Sequence, residues 1–338
     1  MTWRRIAGAC AAAAVAFTTT PANADFRVEG GRLVDRCGQP FVMRGVNLTH
    51  AWAPEHTRQS IRDVARAGAN TVRITVGTGN WFRRSPKAEV RGLLRLARSQ
   101  RLITVLSVHD TTGWGAADEA VHLGAVLPYW FDLRNVLHGR EDYVLINIAN
   151  EPMAGSATPA MWLEANRTAI AALRAAGLRH TIVIDADGYG QDAAGTMRET
   201  ARELFESDPL RNVVFSVHMY QTYGTDDAVV AYLEAFRTAS LPLIVGEFGP
   251  DHHGEPVAEQ AILESAERLG FGWLAWSWSG NGPPARNLDM VEGFDADRVT
   301  DWGRLVIDGP LGLRATSRTA GVFGGARGRR ECPGGMAR

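Results

Sequence analysis

Long apolar runs, cysteine, lysine and any excess of one charge are all scarce in this 338-residue chain, and each scarcity excludes something. The one apolar run of note, Ile6 to Phe17, is too short to span a bilayer as a stable helix. It follows Arg4 and Arg5 and precedes the small-x-small triplet Ala22, Asn23, Ala24, the pattern of a cleaved secretory signal over residues 1–24. The arginine pair also suits a twin-arginine exporter. No other segment is a candidate membrane span, so a secreted, extracellular protein is expected. Lys and Arg number 36 against 37 Asp and Glu, which gives no electrostatic case for nucleic acid or an anionic membrane as partner. Lys87 is the only lysine, a matter of composition rather than chemistry. Of three cysteines, Cys10 leaves with the signal, while Cys37 and Cys332 remain in an oxidising compartment. Cys332 lies in the Gly- and Arg-rich stretch GVFGGARGRRECPGGMAR, part of what reads as a flexible tail over 316–338. Two unpaired thiols are the expectation, with a Cys37–Cys332 disulfide the alternative.

A single domain is expected over residues 25–315, and between Phe41 and Trp278 it repeats one theme: a short apolar or β-branched run, a loop, then a helical pattern. The runs are FVMRGVN, NTVRITV, LITVLSVH, YVLINIAN, TIVIDA, NVVFSVHMY, LPLIVGEF and GWLAWSW. Each is nearly all apolar with polar residues at its C-terminal end, as expected for parallel strands covered on both faces. Between them, Ser85-Pro86 reads as an N-cap and first-turn pair, and Trp162, Ala165, Ala169, Ile170 and Leu173 form one face of a helix that Gly177 ends. Strand ends recur about every 33 residues, the length of one βα unit, and eight units close a (β/α)8 TIM barrel. An open doubly wound sheet would want a glycine-rich first turn, and GVNLTHAW is not GxGxxG. FRVEGGRLVDRCGQP, with its Gly30-Gly31 turn, is expected to be a hairpin closing the barrel bottom.

In such a barrel the active site lies at the C-terminal strand ends. In order these carry Arg73, His109, Asn150 with Glu151, Asp185, His218 with Tyr220, Glu247 and Trp276. So many polar groups converging on one rim are costly unless each has a use or a partner. Strands spaced about 4.8 Å apart and tilted about 36° give a barrel radius of roughly 7.8 Å, placing the ends of the fourth and seventh strands about 14 Å apart. Two glutamates reaching inward there bring their carboxylates to roughly 5 Å, the separation used by retaining glycosidases.

The segments ANEP (149–152), GEFG (246–249), VRI, SVH, VHMY and LAWSW resemble the glycoside hydrolase clan A pattern, specifically family 5. HDTTGWG, INIANEP, GQD, GWLAWSWSGNG and NLDM are together similar, in order and spacing, to its bacterial endo-β-1,4-mannanases. The resemblance implies Glu151 as acid/base and Glu247 as nucleophile, with Arg73 and Tyr220 hydrogen-bonding the nucleophile and His218 adjusting the acid. It implies Asn150 on the sugar 2-OH, His109 on sugar hydroxyls and Trp276 as the platform under the ring. It also implies a β-mannan as partner. No cofactor or metal is expected, because the nine histidines and the strand-end acids show no convincing ligand spacing, and the chain is expected to be a monomer. Trp52, Trp81 and Trp114, in loops after the first three strands, serve either sugar stacking or plain packing. The chain leaves the family pattern at Met153, Asp187 and Tyr189, which bears on its subsites. A β-1,4-glucanase of the same family and a non-catalytic carbohydrate-binding barrel stand as alternatives. A metal-dependent amidohydrolase would open with H-x-H after the first strand, and Asn47 to His50 does not supply it.

Overall fold

Eight of the apolar runs become eight parallel strands that close on themselves in the computed structural model, which describes residues 25–155 and 158–324. The strands are β3 (Arg44–Leu48), β4 (Thr71–Val76), β5 (Ile103–Val108), β6 (Val144–Asn147), β7 (Ile182–Asp185), β8 (Val213–Met219), β9 (Leu243–Phe248) and β12 (Gly272–Ala275), with a short antiparallel pair, β10 (Asp251–His252) and β11 (Glu255–Pro256), in the loop after β9. Their order around the ring is β12-β3-β4-β5-β6-β7-β8-β9. Every residue of these strands is buried, which is why the runs carry no alternation of apolar and polar residues. The helices α1 (Pro54–Arg66), α2 (Lys87–Ser99), α3 (Leu127–Leu137), α4 (Pro159–Ala175), α5 (Thr196–Ser207), α6 (Asp226–Thr238) and α7 (Glu259–Leu269) follow successive strands. Two shorter helices, α8 (Asp301–Asp308) and α9 (Leu313–Thr316), follow β12. Helix α4 buries Trp162, Ala169, Ile170 and Leu173 as the 3.6-residue period requires, and Gly177 follows it at φ +83°. Helix α2 begins one residue later than its cap signal implied: Pro86 is the N-cap, and the Ser85 hydroxyl instead accepts from Gly77 N.

At the bottom, β1 (Arg27–Glu29) and β2 (Arg32–Val34) form the expected hairpin, with Gly30 and Gly31 both left-handed in its two-residue turn. Phe26 beneath it is fully buried against Phe41 at 5.3 Å. Two expectations are corrected here. Cys37 is disulfide-bonded rather than free. Its possible partners, Cys10 and Cys332, lie outside the described residues, as do the proposed signal and residues 325–338. Residues 316–324, assigned to the tail, pack on the barrel instead. Gly321 N donates to Asp35 Oδ2, Asn70 Nδ2 to Arg318 O, and Arg101 Nη2 to Phe323 O. Low apolar content hid these contacts, which are made by backbone groups. Among the described residues no helix is long and apolar enough to cross a membrane.

Candidate active site

The top of the barrel gathers every strand-end residue singled out above into one buried network. Glu247 is the penultimate residue of β9, where the pairing with β8 skips Gly246, so that His218 rather than Met219 stands opposite Glu247. Such a bulge re-aims the side chains beyond it. Only glycine fits there, since a Cβ at position 246 would sit 2.1 Å from Ser216 Oγ. Glu151, just past β6, holds φ +43°, an uncommon and costly conformation for a residue with a side chain. Its N–H donates to Asp185 Oδ2 at 3.3 Å and its carbonyl accepts from Gly113 N at 3.0 Å, which fixes the backbone in place.

One carboxylate oxygen of Glu151, one of Glu247 and a ring nitrogen of His218 lie within 4.8 Å of one another. Arg73 Nη1 donates to Glu247 Oε1 at 2.6 Å, and Tyr220 OH donates to Glu247 Oε2 at 2.9 Å. His218 Nδ1 donates to Glu151 Oε1 at 2.7 Å, and Nε2 lies 3.4 Å from Asp185 Oδ2, an ion-pair distance at an angle too poor for a hydrogen bond. Burial alone would strip the proton from His218. The charges of Glu247 and Asp185 and the hydrogen bond to Glu151 prevail and push its pKa up to about 10. Burial raises Glu151 to about 7, partly offset by His218 and reinforced by Glu247 and Asp185. Burial also opposes ionisation of Asp185, but His218 and Arg73 hold it below the usual carboxylate range. Tyr220 is driven well above the usual phenol value by burial and the Glu247 charge, so it remains a donor. Two buried cations thus face three buried carboxyls, and the raised pKa of Glu151 suits it to carry a proton.

Two asparagines that sequence reasoning missed hold Arg73. Asn147 Oδ1 accepts from Nε at 3.0 Å and Nη2 at 2.8 Å, and Asn47 Oδ1 accepts from Nη1 at 2.9 Å. Asn147 is the one polar side chain of β6, and Asn47 is the one polar side chain of β3 besides Arg44 at its start, which is the signal that could have found them. Asn150 Oδ1 accepts from Arg73 Nη2 and its amide donates to Thr112 Oγ1 at 2.8 Å. His109 is buried, its Nε2 has no partner, and burial with the nearby Arg73 charge keeps the ring neutral. Its ring stacks at 5.9 Å on Trp276, whose indole N–H donates to Asn281 Oδ1. Trp52 and Trp81 are each 38 % exposed, and Trp52 reaches Trp276, Phe82 and His109 at ring distances of 6.1, 5.5 and 6.0 Å. Trp114 is partly buried against the core, and the half-buried His252 ring stacks on Tyr220 at 4.5 Å.

Glu151, His218 and Glu247 are also the one group among the described residues close enough to share a metal ion. The donor set does not fit a cation: His218 is protonated on both nitrogens, and the Arg73 guanidinium already occupies Glu247. The arrangement suits proton transfer by Glu151, whose pKa is raised, and attack by Glu247, whose two oxygens are aimed by Arg73 and Tyr220.

The chain matches the family described as Cellulase (glycosyl hydrolase family 5) over residues 34–282. It belongs to glycosyl hydrolase family 5. It is 47 % identical to a mannan endo-1,4-beta-mannosidase of Cellvibrio japonicus over 90 % of this chain and 71 % of that protein. It is 46 % identical to a mannan endo-1,4-beta-mannosidase of Streptomyces lividans over 89 % of this chain and 78 % of that one. Among solved structures, a beta-mannanase from Streptomyces thermolilacinus with mannohexaose superposes with a TM-score of 0.86 at 45 % identity, over 89 % of this chain and 99 % of that one. As a family 5 member the chain is a glycoside hydrolase on a (β/α)8 barrel, and Glu151, just past β6, and Glu247 on β9 are its candidate catalytic pair.

Proposed function

We propose that this chain is a secreted, monomeric retaining endo-β-1,4-mannanase that cuts internal bonds of mannan, glucomannan and galactomannan by double displacement. The observation that carries the mechanism is the pair of carboxyl oxygens within 4.8 Å, too close to admit the water an inverting enzyme places between its carboxyls at about 6.5 Å or more. Glu247, oriented by Arg73 and Tyr220, attacks the anomeric carbon, while Glu151 protonates the departing oxygen. Its Oε1 is engaged by His218, leaving Oε2 for that proton. Water then enters, Glu151 takes its proton as a base, and the bond to Glu247 breaks. Asn150 receives the 2-OH, a hydrogen bond that tightens as the oxocarbenium ion develops. The unpartnered His109 Nε2 meets a sugar hydroxyl, and Trp276 lies under the ring.

The choice of mannan is supported by the identity to mannan endo-1,4-beta-mannosidases across most of the chain. Mannose differs from glucose in its axial 2-OH, and a site built to bond one hydroxyl rejects an isomer that leaves its polar groups unpaired. The expected preference for mannohexaose over cellohexaose in kcat/KM is at least about 100-fold, or roughly 2.7 kcal/mol. Equal or reversed values would move the enzyme to the glucanase reading.

A further inference from the structure

We propose that Tyr189 is the platform on which the departing sugar stacks, and so the residue that sets affinity on the leaving-group half of the cleft; this rests on the mannanase reading above. The cleft has two halves. Trp276 packs on Tyr220, the partner of the nucleophile Glu247, and with Trp52 and His109 it lines the rim from β12 through β3 to β5. The sugar that Glu247 attacks lies on that side. β6, which leads into Glu151, is four strands away from β12 in the eight-strand ring, directly across the barrel. The sugar whose oxygen Glu151 protonates must leave over β6 and its neighbours.

Tyr189 occupies that side and is built to face outward. It is 41 % exposed, one of few large rings left open, and it holds φ +55°, a conformation disfavoured for an aromatic residue. The rest of its loop is turned inward to hold it there. Asp192 accepts from Met197 N at 2.7 Å and Arg198 N at 3.0 Å, capping α5. Gln191 Oε1 accepts from Thr222 N at 3.1 Å. Gly190 O accepts from His218 N at 2.7 Å, and a Cβ on Gly190 would press 2.6 Å from the imidazole. Tyr189 N donates to Met153 O, and its ring rests on Gly113, where a Cβ would fall 2.4 Å from Cε1. Gly113 N–H is the group that donates to the Glu151 carbonyl. The ring is therefore seated on the backbone that positions the acid. Beyond Met153 an apolar groove of about 580 Å³, lined by Trp114, Met153 and Met161, gives the departing chain a path away from the cleft.

The experiment compares Tyr189→Ala and Tyr189→Phe on mannohexaose and on β-mannobiosyl fluoride, whose leaving group is one atom and needs no platform. The expected result for the Ala variant is a KM for mannohexaose raised about tenfold, the scale of one lost ring contact, with kcat changed much less. Its loss on the fluoride is several-fold smaller. With mannotriose as acceptor the ratio of transfer to hydrolysis falls about tenfold, and Tyr189→Phe restores all three readouts. Equal losses on both substrates, an unchanged transfer ratio, or a Phe variant no better than Ala would each overturn the assignment. A wild-type enzyme active on cellohexaose and not mannohexaose would instead sink the substrate reading, and the ring is then tested with cello-oligosaccharides under the same expectations.

Discussion

Arg73→Lys is a conservative change on paper and a severe one in this site. The Arg73 guanidinium is wholly buried and donates to Asn47, Asn147, Asn150, Asp185 and Glu247 at once, from three nitrogens held in one plane. A lysine ammonium offers three donors at a single point, so it can keep one carboxylate and abandons the fork. At least two partners then lie buried without a donor. The expected cost is about 3–5 kcal/mol in stability, or roughly 6–15 °C in Tm for a domain this size. Glu247 also loses the contact that aims Oε1, and kcat/KM is expected to fall about 100-fold or more through misplacement of the attacking oxygen. Calorimetry and initial rates on mannohexaose read both effects. A variant within about threefold of wild-type activity and within a degree of its Tm would refute the claim that this fork organises the site.

Glu151→Ala should keep its first step on aryl glycosides with good leaving groups, which need no proton, and azide should accelerate its second; rescue of Glu247→Ala by azide with retained configuration would reverse the two roles. His180 is buried with neither ring nitrogen bonded, and burial lowers its pKa to about 4, helped by Arg174 and His138 against Glu141. The folded state therefore binds fewer protons than the unfolded one. Stability is complete above the unfolded histidine value of about 6.5 and is lost as pH falls to about 4, by about 3 kcal/mol, and His180→Leu should flatten Tm across that window. Dialysis against EDTA should leave rate and Tm unchanged, because protonated His218 and Arg73 leave no room for a cation; a loss restored by zinc or calcium would contradict this. Cys37 should resist alkylation in denatured, unreduced protein, and ready labelling would show it free.

The barrel and most of its rim were legible because the apolar strands carry few polar residues and those do the chemistry: LIVGEF places Glu247 near the end of β9, while Arg73, expected at a strand end, stands in the middle of β4. Asn47 and Asn147 were not legible as site residues. They point at Arg73 from inside strands, and only closure of the barrel shows where each inward position looks. Asp185 was visible as a strand end, but its service to Glu151, Arg73 and His218 together depends on groups brought in from three other parts of the barrel. The bulge at Gly246 is equally silent in sequence, since register is a property of two strands. Departures from the family pattern divided in a way no local signal could tell: Met153 and Asp187 are buried, whereas Tyr189 is turned out by a left-handed backbone. The pairing of Cys37 was missed because low apolar content argues against packing, yet residues 316–324 are held through backbone groups.

The central claim is that Glu247 forms the covalent bond and Glu151 moves the proton. Inactivation with 2-deoxy-2-fluoro-β-mannosyl fluoride, followed by peptide mass mapping, tests it most directly. The fluorine slows release of the glycosyl-enzyme, so the adduct should accumulate on the peptide containing GEFG, with the added mass on Glu247. A label on Glu151, or time-dependent inactivation with no covalent adduct, would contradict the account.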